Sequence, residues 1–158
     1  MTTHIPTQSM AGEILGDEHR LKIRVYYEDT DFTGVVYHAN YLRYFERGRS
    51  DFLRLLGVHH HRLAELDPPL AFAVAQINVR YKATARIDDI LTVSTRLAAA
   101  KGAQFFIDQA ISRDGTLIAG ARLDIVCIDG QGRPRRMPRD LAEVINRHIA
   151  APKPGENA

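Results

Sequence analysis

The chain has little cysteine, no long apolar run and little net charge. Cys127 is the only cysteine among 158 residues, so no intrachain disulfide can form, which is typical of proteins in a reducing cytoplasm. No apolar run approaches the roughly 20 residues that a membrane-spanning helix needs. The first 20 residues also lack the basic and apolar regions of a secretory signal. These absences predict a cytoplasmic protein without a membrane span.

A formal net charge of +2 argues against broad nucleic-acid binding, so we expect no nucleic-acid partner. The run His59, His60 and His61 invites a metal interpretation. Consecutive loop residues point in different directions, however, and no acidic partner follows at fixed spacing. We therefore expect neither a metal site nor another cofactor.

The spacing of apolar side chains predicts two elements in the first half of the chain. Residues 21–27 alternate apolar and polar side chains, which predicts a strand. Residues 28–39 have no helical stripe and predict a loop. Residues 40–56 place apolar side chains at helical spacing, and Gly57 then suits the end of a long helix. Gly48 inside that helix should cost about 1 kcal/mol relative to alanine, so we expect another backbone to approach it closely.

The second half predicts four strands and a short terminal helix over 141–149 with Asp140 as its cap. Asp114 and Gly115 form a hairpin signal between the last two strands. Short turns require antiparallel neighbours, so the domain class is α+β. We predict a tail over 1–20, one domain over 21–150 and a second tail over 151–158. The apolar positions of the first of these strands are Ala73, Ala75, Ile77, Val79 and Tyr81.

The segment over 25–41 is dense in reactive side chains. Glu28, Asp29 and Asp31 lie within four residues, and like charges this close should raise the pKa of at least one carboxyl. His38 precedes the predicted helix, whose first turn offers unpaired N–H groups and a positive dipole end. A carboxylate, an imidazole and such a helix end suit acyl transfer. The alternative is a solvated cap with a surface histidine.

The run VYYEDTDFTGVVYHANYLRYFERGR, over 25–49, closely resembles the Tol–Pal-associated acyl-CoA thioesterases. More broadly, the chain resembles the 4-hydroxybenzoyl-CoA thioesterase group of hotdog proteins over 21–128. The resemblance implies a hotdog fold, in which a five-stranded antiparallel sheet wraps around one long helix. It also implies an acyl-CoA substrate, acyl carrier protein as a further possible partner, and a homodimer or homotetramer with its active sites between subunits.

The resemblance assigns roles by position. Asp31 matches the catalytic carboxylate, and His38 matches a position where relatives have a catalytic histidine or a tyrosine. Tyr27 matches a tyrosine that is proposed to take part in catalysis. Asn78 and Tyr81 of a partner chain would then face the loop that carries Asp31 and bind substrate.

Other charged residues have two interpretations each. Arg135 and Arg136 suit either a solvated turn or a dock for the phosphates of CoA, with Lys82 and Arg86 as alternatives. Glu46 is a possible helical carboxylate of the catalytic site, although its arginine neighbours favour a salt-bridged helix face. The thiol of Cys127, on the apolar face of a strand, is expected to be buried and inert.

Three functions fit these patterns. The first is hydrolysis of acyl-CoA thioesters by an Asp31 base or nucleophile, with an oxyanion site at the helix N-terminus. A hotdog dehydratase or hydratase is less consistent with the EDTD and YHANY motifs. The third is a module that binds acyl-CoA or acyl carrier protein within a cell-envelope or phospholipid-synthesis complex.

Overall fold

The structure, a computed structural model, describes residues 10–151. Of the two predicted tails, 1–20 and 151–158, residues 1–9 and 152–158 lie outside this range. In the described part, no helix is long and apolar enough to cross a bilayer. The strands are β1 (Glu13–Leu15), β2 (Glu18–Arg24), β3 (Leu70–Tyr81), β4 (Ile90–Lys101), β5 (Gln104–Arg113) and β6 (Thr116–Asp129), and the helices are α1 (Asn40–Leu55), α2 (His60–Ala64) and α3 (Arg139–Arg147).

The six strands form one antiparallel sheet in the order β1-β2-β4-β5-β6-β3. The predicted hairpin between β5 and β6 is confirmed, since Asp114 and Gly115 have φ values of 49° and 81°, as a type I′ turn requires. Among the described strands, β3 pairs only with β6, although it precedes β4 in the chain. The other side of β3 is therefore an open edge of the sheet. The C-terminal end of β3, at Tyr81, lies beside the loop that precedes α1.

The prediction of five strands around one long helix needs correction. In the part of the chain that the structure describes, the sheet has six strands, because residues 13–20 of the predicted tail contribute β1 and the start of β2. Helix α1 has 16 residues and is accompanied by the two shorter helices α2 and α3. Residues 25–27 lie outside β2. The N–H of Val25 still bonds in register to the carbonyl of Asp89, but the carbonyl of Val25 accepts its bond from Asp88, and a 3-10 turn follows over Tyr27–Asp29. The N-cap of α3 is Pro138, and Asp140 lies in the first turn.

Helix α1 packs its apolar face against β4 and β5 and completes the core. Tyr44, Phe45 and Phe52 are fully enclosed, and each of the two phenylalanines contributes roughly 1.5–3 kcal/mol by burial. At Gly48, an added Cβ would lie 2.7 Å from Cγ1 of Val93. The compensation for Gly48 is thus close approach of sheet side chains, not of another backbone as predicted.

A buried polar network fixes α1 on the sheet. The Gln109 side-chain amide donates to the Phe45 carbonyl and to the Thr95 hydroxyl, both at 2.9 Å. Its carbonyl oxygen accepts a 3.2 Å bond from the Arg49 guanidinium. Buried polar groups paired in this way cost little and restrict geometry. The network therefore sets how α1, and with it the loop before α1, lies across β4 and β5.

A bulge divides β3 into two registers. The pairing with β6 shifts between Val74 and Gln76, so the alternation of side chains changes there. Phe72, whose ring contacts Phe105 at 5.1 Å, faces the core on one side of the bulge, and Ile77 packs on the core on the other. The predicted unbroken row from Ala73 to Tyr81 is therefore wrong, because alternation assumes a regular strand.

Candidate active site

The loop before α1 is tied to the connection between β3 and β4. The N–H of Val25 bonds to the Asp89 carbonyl at 2.9 Å, and the N–H of Val36 bonds to the Ala85 carbonyl at 2.8 Å. Val25, Val36 and Ala85 are buried. Apolar anchors at both ends of the loop thus hold residues 26–34 at one end of the sheet, where Tyr26, Tyr27 and Phe32 are exposed.

Asp29 is a structural carboxylate within this loop. It is buried, and its two oxygens accept 2.8 Å bonds from the Tyr26 N–H and the Asn40 side-chain amide. Burial acts to raise the pKa of Asp29, but the bonds from the Tyr26 N–H and the Asn40 amide, helped by the charge of Arg47, leave that pKa below its ordinary value. The ionised carboxylate connects the loop to the first residue of α1.

Asp31 begins a tight turn that Gly34 closes with a 3.0 Å bond to the Asp31 carbonyl. Its Oδ1 accepts bonds from the Thr33 N–H at 2.7 Å and the Thr33 hydroxyl at 2.6 Å. These two bonds lower the pKa of Asp31, and the charge of His38 adds to the effect. Within residues 10–151, Oδ2 of Asp31 accepts no hydrogen bond, so this oxygen can meet a substrate.

The prediction that crowded acids raise a carboxyl pKa is wrong for Asp29 and Asp31, because both values are lowered. Proximity in sequence did not place the two carboxylates against each other. One is buried among donors from α1, and the other faces its own turn. The hydrogen bonds that the two carboxylates accept from Tyr26, Asn40 and Thr33 determine the direction of their pKa shifts.

His38 lies two residues before α1, with an exposed ring. Its ring contacts those of Tyr37 at 4.6 Å and Tyr81 at 6.4 Å. The helix N-cap is Ala39, which supplies no side-chain cap. In the described structure the N–H groups of His38 and Ala39 take part in no hydrogen bond. Two donors at a positive helix end are therefore open to an anionic oxygen.

The other predicted site residues are distributed more widely. Tyr27 is 82% exposed and, within residues 10–151, its side chain forms no hydrogen bond with Asp31 and no ring contact with His38. Asn78 is exposed on β3. Tyr81 of the same chain donates a 2.8 Å bond to the His38 carbonyl, whereas the sequence prediction brought Tyr81 from a partner chain. The contact arises because β3 ends beside the loop of its own chain.

Arg135 and Arg136 lie at the opposite end of the sheet from Asp31. Arg135 donates a 2.9 Å bond to the buried carboxylate of Asp129. Arg136 lines an open groove together with Lys101, the last residue of β4. The Asp31 loop lies at the start of β4, and 12 residues of strand span about 36 Å. The sequence prediction grouped these arginines with the site, but one chain does not bring them together.

Arg86 has its side chain beside the turn that contains Asp31 and Gly34. Its backbone forms a bridge with Val35, and its guanidinium would lie 3.6 Å from a Cβ built on Gly34. Lys82 lies at the same end of the sheet, where its N–H bonds to the carbonyl of Ile118. Of the two basic groups offered as alternatives, the geometry thus favours Arg86.

The sequence patterns missed the supporting residues Asn40 and Tyr41. Asn40 bonds to Asp29, and the Tyr41 hydroxyl accepts a 3.3 Å bond from the Ala85 N–H. Both residues stand in the YHANY run. The signal available in the sequence was an asparagine and a tyrosine at the predicted helix start, directly after an acidic loop. Asn40 thus joins the start of α1 to the loop that carries Asp31, and Tyr41 joins it to the connection between β3 and β4.

A small cavity separates α1 from the edge strand β3. Glu46 on its wall accepts bonds from the Arg49 guanidinium and, at 3.0 Å, from the Ser50 hydroxyl. The expected ion-paired helix face is therefore present, with Arg49 as the partner. The cavity has a volume of about 40 Å³ and an apolar floor that includes Leu53, Phe72, Val74, Phe105, Ile107 and Ile125.

The predicted inertness of Cys127 agrees with its position, because the thiol is buried and burial raises its pKa. Residues 10–151 contain no group of three or more potential metal ligands. His60 packs its ring on Phe72 at 5.9 Å. The three consecutive histidines therefore lie around α2 as surface and packing residues.

An antiparallel sheet packed on α1, with an ionised carboxylate beside the helix N-terminus, defines a thioesterase-type α+β domain. Residues 25–145 match the thioesterase-like superfamily. The chain belongs to this superfamily and is a thioester hydrolase.

Two named relatives support this membership. The chain is 39% identical over 120 residues to the acyl-CoA thioesterase YbgC of Haemophilus influenzae, which covers 75% of this chain and 88% of that protein. It is 38% identical over 126 residues to the acyl-CoA thioester hydrolase YbgC of Escherichia coli, which covers 77% and 91%.

Solved structures agree with the fold. A probable thioesterase from Bartonella henselae has a TM-score of 0.74 and 42% identity, covering 77% of this chain and 99% of its own. A 4-hydroxybenzoyl CoA thioesterase superimposes with a TM-score of 0.75 at 20% identity, covering 82% and 99%, and this likeness concerns the fold alone. The resemblance to hotdog thioesterases is thereby confirmed, whereas the Tol–Pal association stays a prediction.

Proposed function

We propose that the chain hydrolyses acyl-CoA thioesters to a free acid and CoA, with Asp31 as nucleophile or general base. The observation that carries this proposal is the loop geometry. An ionised carboxylate with one unbonded oxygen stands beside a helix start whose N–H groups at His38 and Ala39 are open. The named relatives act on acyl-CoA thioesters, which supports the same substrate class here.

The thioester carbonyl oxygen would accept bonds from the N–H groups of His38 and Ala39. The positive end of α1 stabilises the charge that develops on this oxygen as the carbonyl carbon becomes tetrahedral. Asp31 then acts by one of two balanced routes. Its carboxylate attacks the carbon to form an anhydride that water hydrolyses, or it removes a proton from a water that attacks directly.

His38 would act on the departing group. Its exposed imidazole stands between the rings of Tyr37 and Tyr81, where it can orient the thioester or donate a proton to the CoA sulfur. A CoA thiolate is a fair leaving group, so this proton contributes less than the Asp31 step. Tyr27, which is exposed on the loop, is assigned no step by this geometry.

The substrate would extend from the loop in two directions. Arg86, in the connection between β3 and β4, extends its guanidinium toward Gly34 of the Asp31 turn, where it can pair with CoA phosphates. The acyl chain would follow the gap between α1 and β3 toward the apolar cavity beside Glu46. The open edge of β3 borders this path, so a second copy of the chain would cover it.

The test is release of free thiol from a series of acyl-CoA esters of increasing chain length. We expect turnover by the wild type and a loss of about 10²-fold or more in kcat for Asp31→Asn, the range for removal of a positioned base. Asp88→Asn is the matched control, because Asp88 is exposed with a φ of 69°, which asparagine tolerates.

Wild-type turnover by a folded Asp31→Asn protein would contradict the assignment of Asp31. Tight binding of acyl-CoA by the wild type without release of thiol would replace the hydrolase with a binding module.

A further inference from the structure

Tyr81 connects the end of β3 to the residue before the helix cap. Its hydroxyl donates a 2.8 Å bond to the carbonyl of His38. Its ring also meets the edges of the His38 ring at 6.4 Å and the Tyr41 ring at 5.6 Å. Tyr41 is itself held by the Ala85 N–H. A chain of aromatic contacts thus runs from the sheet to the start of α1.

The His38 carbonyl has no backbone partner in the described structure. The first helical bonds use other acceptors, because Asn40 N–H bonds to the Tyr37 carbonyl and Leu42 N–H bonds to the Ala39 carbonyl. The Tyr81 hydroxyl is therefore the group that orients this carbonyl. No side chain caps the helix at Ala39, so no other side-chain bond restrains the peptide there.

The orientation of this carbonyl determines where a neighbouring N–H points. The His38 carbonyl and the Ala39 N–H belong to one planar trans peptide, and they point in opposite directions. When Tyr81 holds the oxygen toward β3, the Ala39 N–H is directed away from β3. This N–H is one of the two open donors that the proposed reaction uses.

We infer that Tyr81 is a positioning residue, which holds the 38–39 peptide so that its N–H meets the oxygen of the thioester. This inference rests on the proposed function and changes the expected role of Tyr81 from a substrate contact to a support of the oxyanion site. It also gives β3 a function beyond the sheet, because the strand at the open edge carries the group that aligns the donor.

The decisive variant is Tyr81→Phe, which keeps the ring contacts and removes only the hydroxyl. We expect kcat to fall by about 10- to 100-fold, since a displaced reacting geometry can cost 10² and loss of an oxyanion donor 10² to 10³. KM should stay within about twofold, because interactions realised only in the transition state leave ground-state binding unchanged. The melting temperature should remain close to that of the wild type.

Two controls separate this role from others. Tyr26→Phe removes an exposed tyrosine hydroxyl from the loop that carries Asp31 and should keep wild-type kcat. The pH dependence of Tyr81→Phe should keep the wild-type acid limb, because the Thr33 donors that lower the pKa of Asp31 are untouched. A shifted acid limb would show that Tyr81 acts on the carboxylate and would overturn the inference.

Other outcomes are equally decisive. Wild-type kcat in Tyr81→Phe, with Asp31→Asn inactive, would overturn the role of Tyr81 and leave the proposed function standing. A raised KM at unchanged kcat would make Tyr81 a substrate-binding residue. No thiol release by the wild type would instead overturn the proposed function, and the role of Tyr81 with it.

Discussion

At the scale of single residues, hydrogen bonds give different roles to acidic residues that look equivalent in the sequence. Asp29 and Asp31 stand two positions apart, yet one is buried under Asn40 and the other faces a turn with a free oxygen. The motif indicated Asp31 by resemblance, and its local bonds explain why it suits the chemistry. The role of Asp29 could not be predicted, because its burial depends on where α1 begins.

The pH dependence of activity should depend on Thr33. The Thr33 hydroxyl and N–H lower the pKa of Asp31, so the base stays ionised and kcat/KM falls only as pH drops through that lowered value. Thr33→Val removes the hydroxyl and keeps the N–H, so the pKa should rise toward 3.8 and the acid limb should move to higher pH.

The measurement is kcat/KM against pH, over the range in which the circular dichroism of each protein is constant. Thr116→Val, an exposed change at the start of β6, is the control. An acid limb at the wild-type pH in Thr33→Val would show that Asp31 is not the titrating base.

Recognition of the CoA nucleotide should depend on Arg86 rather than on Arg136. Arg86→Ala should raise KM for acyl-CoA by about 10-fold, the loss of roughly one charge-assisted bond, and should barely affect an acyl-pantetheine that lacks the nucleotide. Arg136→Ala should leave both substrates unchanged if one chain holds the whole substrate. The reverse pattern would show that a partner chain brings its basic groove to the site.

At the scale of elements, long-range contacts decided which predictions held. Strand β1 was missed because three exposed residues carry no visible period. It is held by tertiary contacts, since Asp51 on α1 accepts bonds from the Gly12 N–H at 2.8 Å and bonds to the His19 ring at 2.6 Å. His19 in turn stacks on Phe52. β1 itself pairs with β2 through the short turn at Gly16 and Asp17, whereas the contact of Asp51 with His19, across 32 residues, leaves no local signal in the chain.

Gly48→Ala should destabilise the fold although alanine favours helices. The helix gains about 1 kcal/mol, but the new Cβ would lie 2.7 Å from Val93, and such overpacking typically costs about 1–3 kcal/mol. Urea unfolding should therefore show a lower free energy of unfolding. Gly130→Ala, where a Cβ meets no atom within 4 Å, should be nearly neutral. A more stable Gly48→Ala protein would show that α1 can move away from β4.

At the scale of the whole molecule, the open edge of β3 is the main unsatisfied feature. Val74 and Tyr81 on this strand are 45% and 46% exposed, and within residues 10–151 no strand lies on one side of its backbone. Exposed edges of this length pair with other strands unless they are protected. We therefore expect two copies to join through β3 around a two-fold axis, as a homodimer or as half of a homotetramer.

Activity should consequently depend on assembly. Light scattering should give at least a dimer, and specific activity should fall on dilution below the dissociation constant. Ala75→Lys, which places like charges across such an axis, should shift the population toward monomer, whereas Thr116→Lys on β6 should not. A monomer with full activity would refute both the interface and its contribution to the site.

The sequence by itself determined the features that depend on neighbours along the chain. These are the strand and helix periods, the β5–β6 turn, and the loop that carries Asp31 and His38 into the start of α1. Only the tertiary structure decided which distant residues serve that loop. It brought Tyr81 to His38 across 43 residues and placed Arg135 and Arg136 at the far end. The physical reason is the order of strands in the sheet. β3 lies at the edge next to β6 rather than next to β4, which follows it in the chain, and the spacing of residues within a strand does not determine which strands lie beside it.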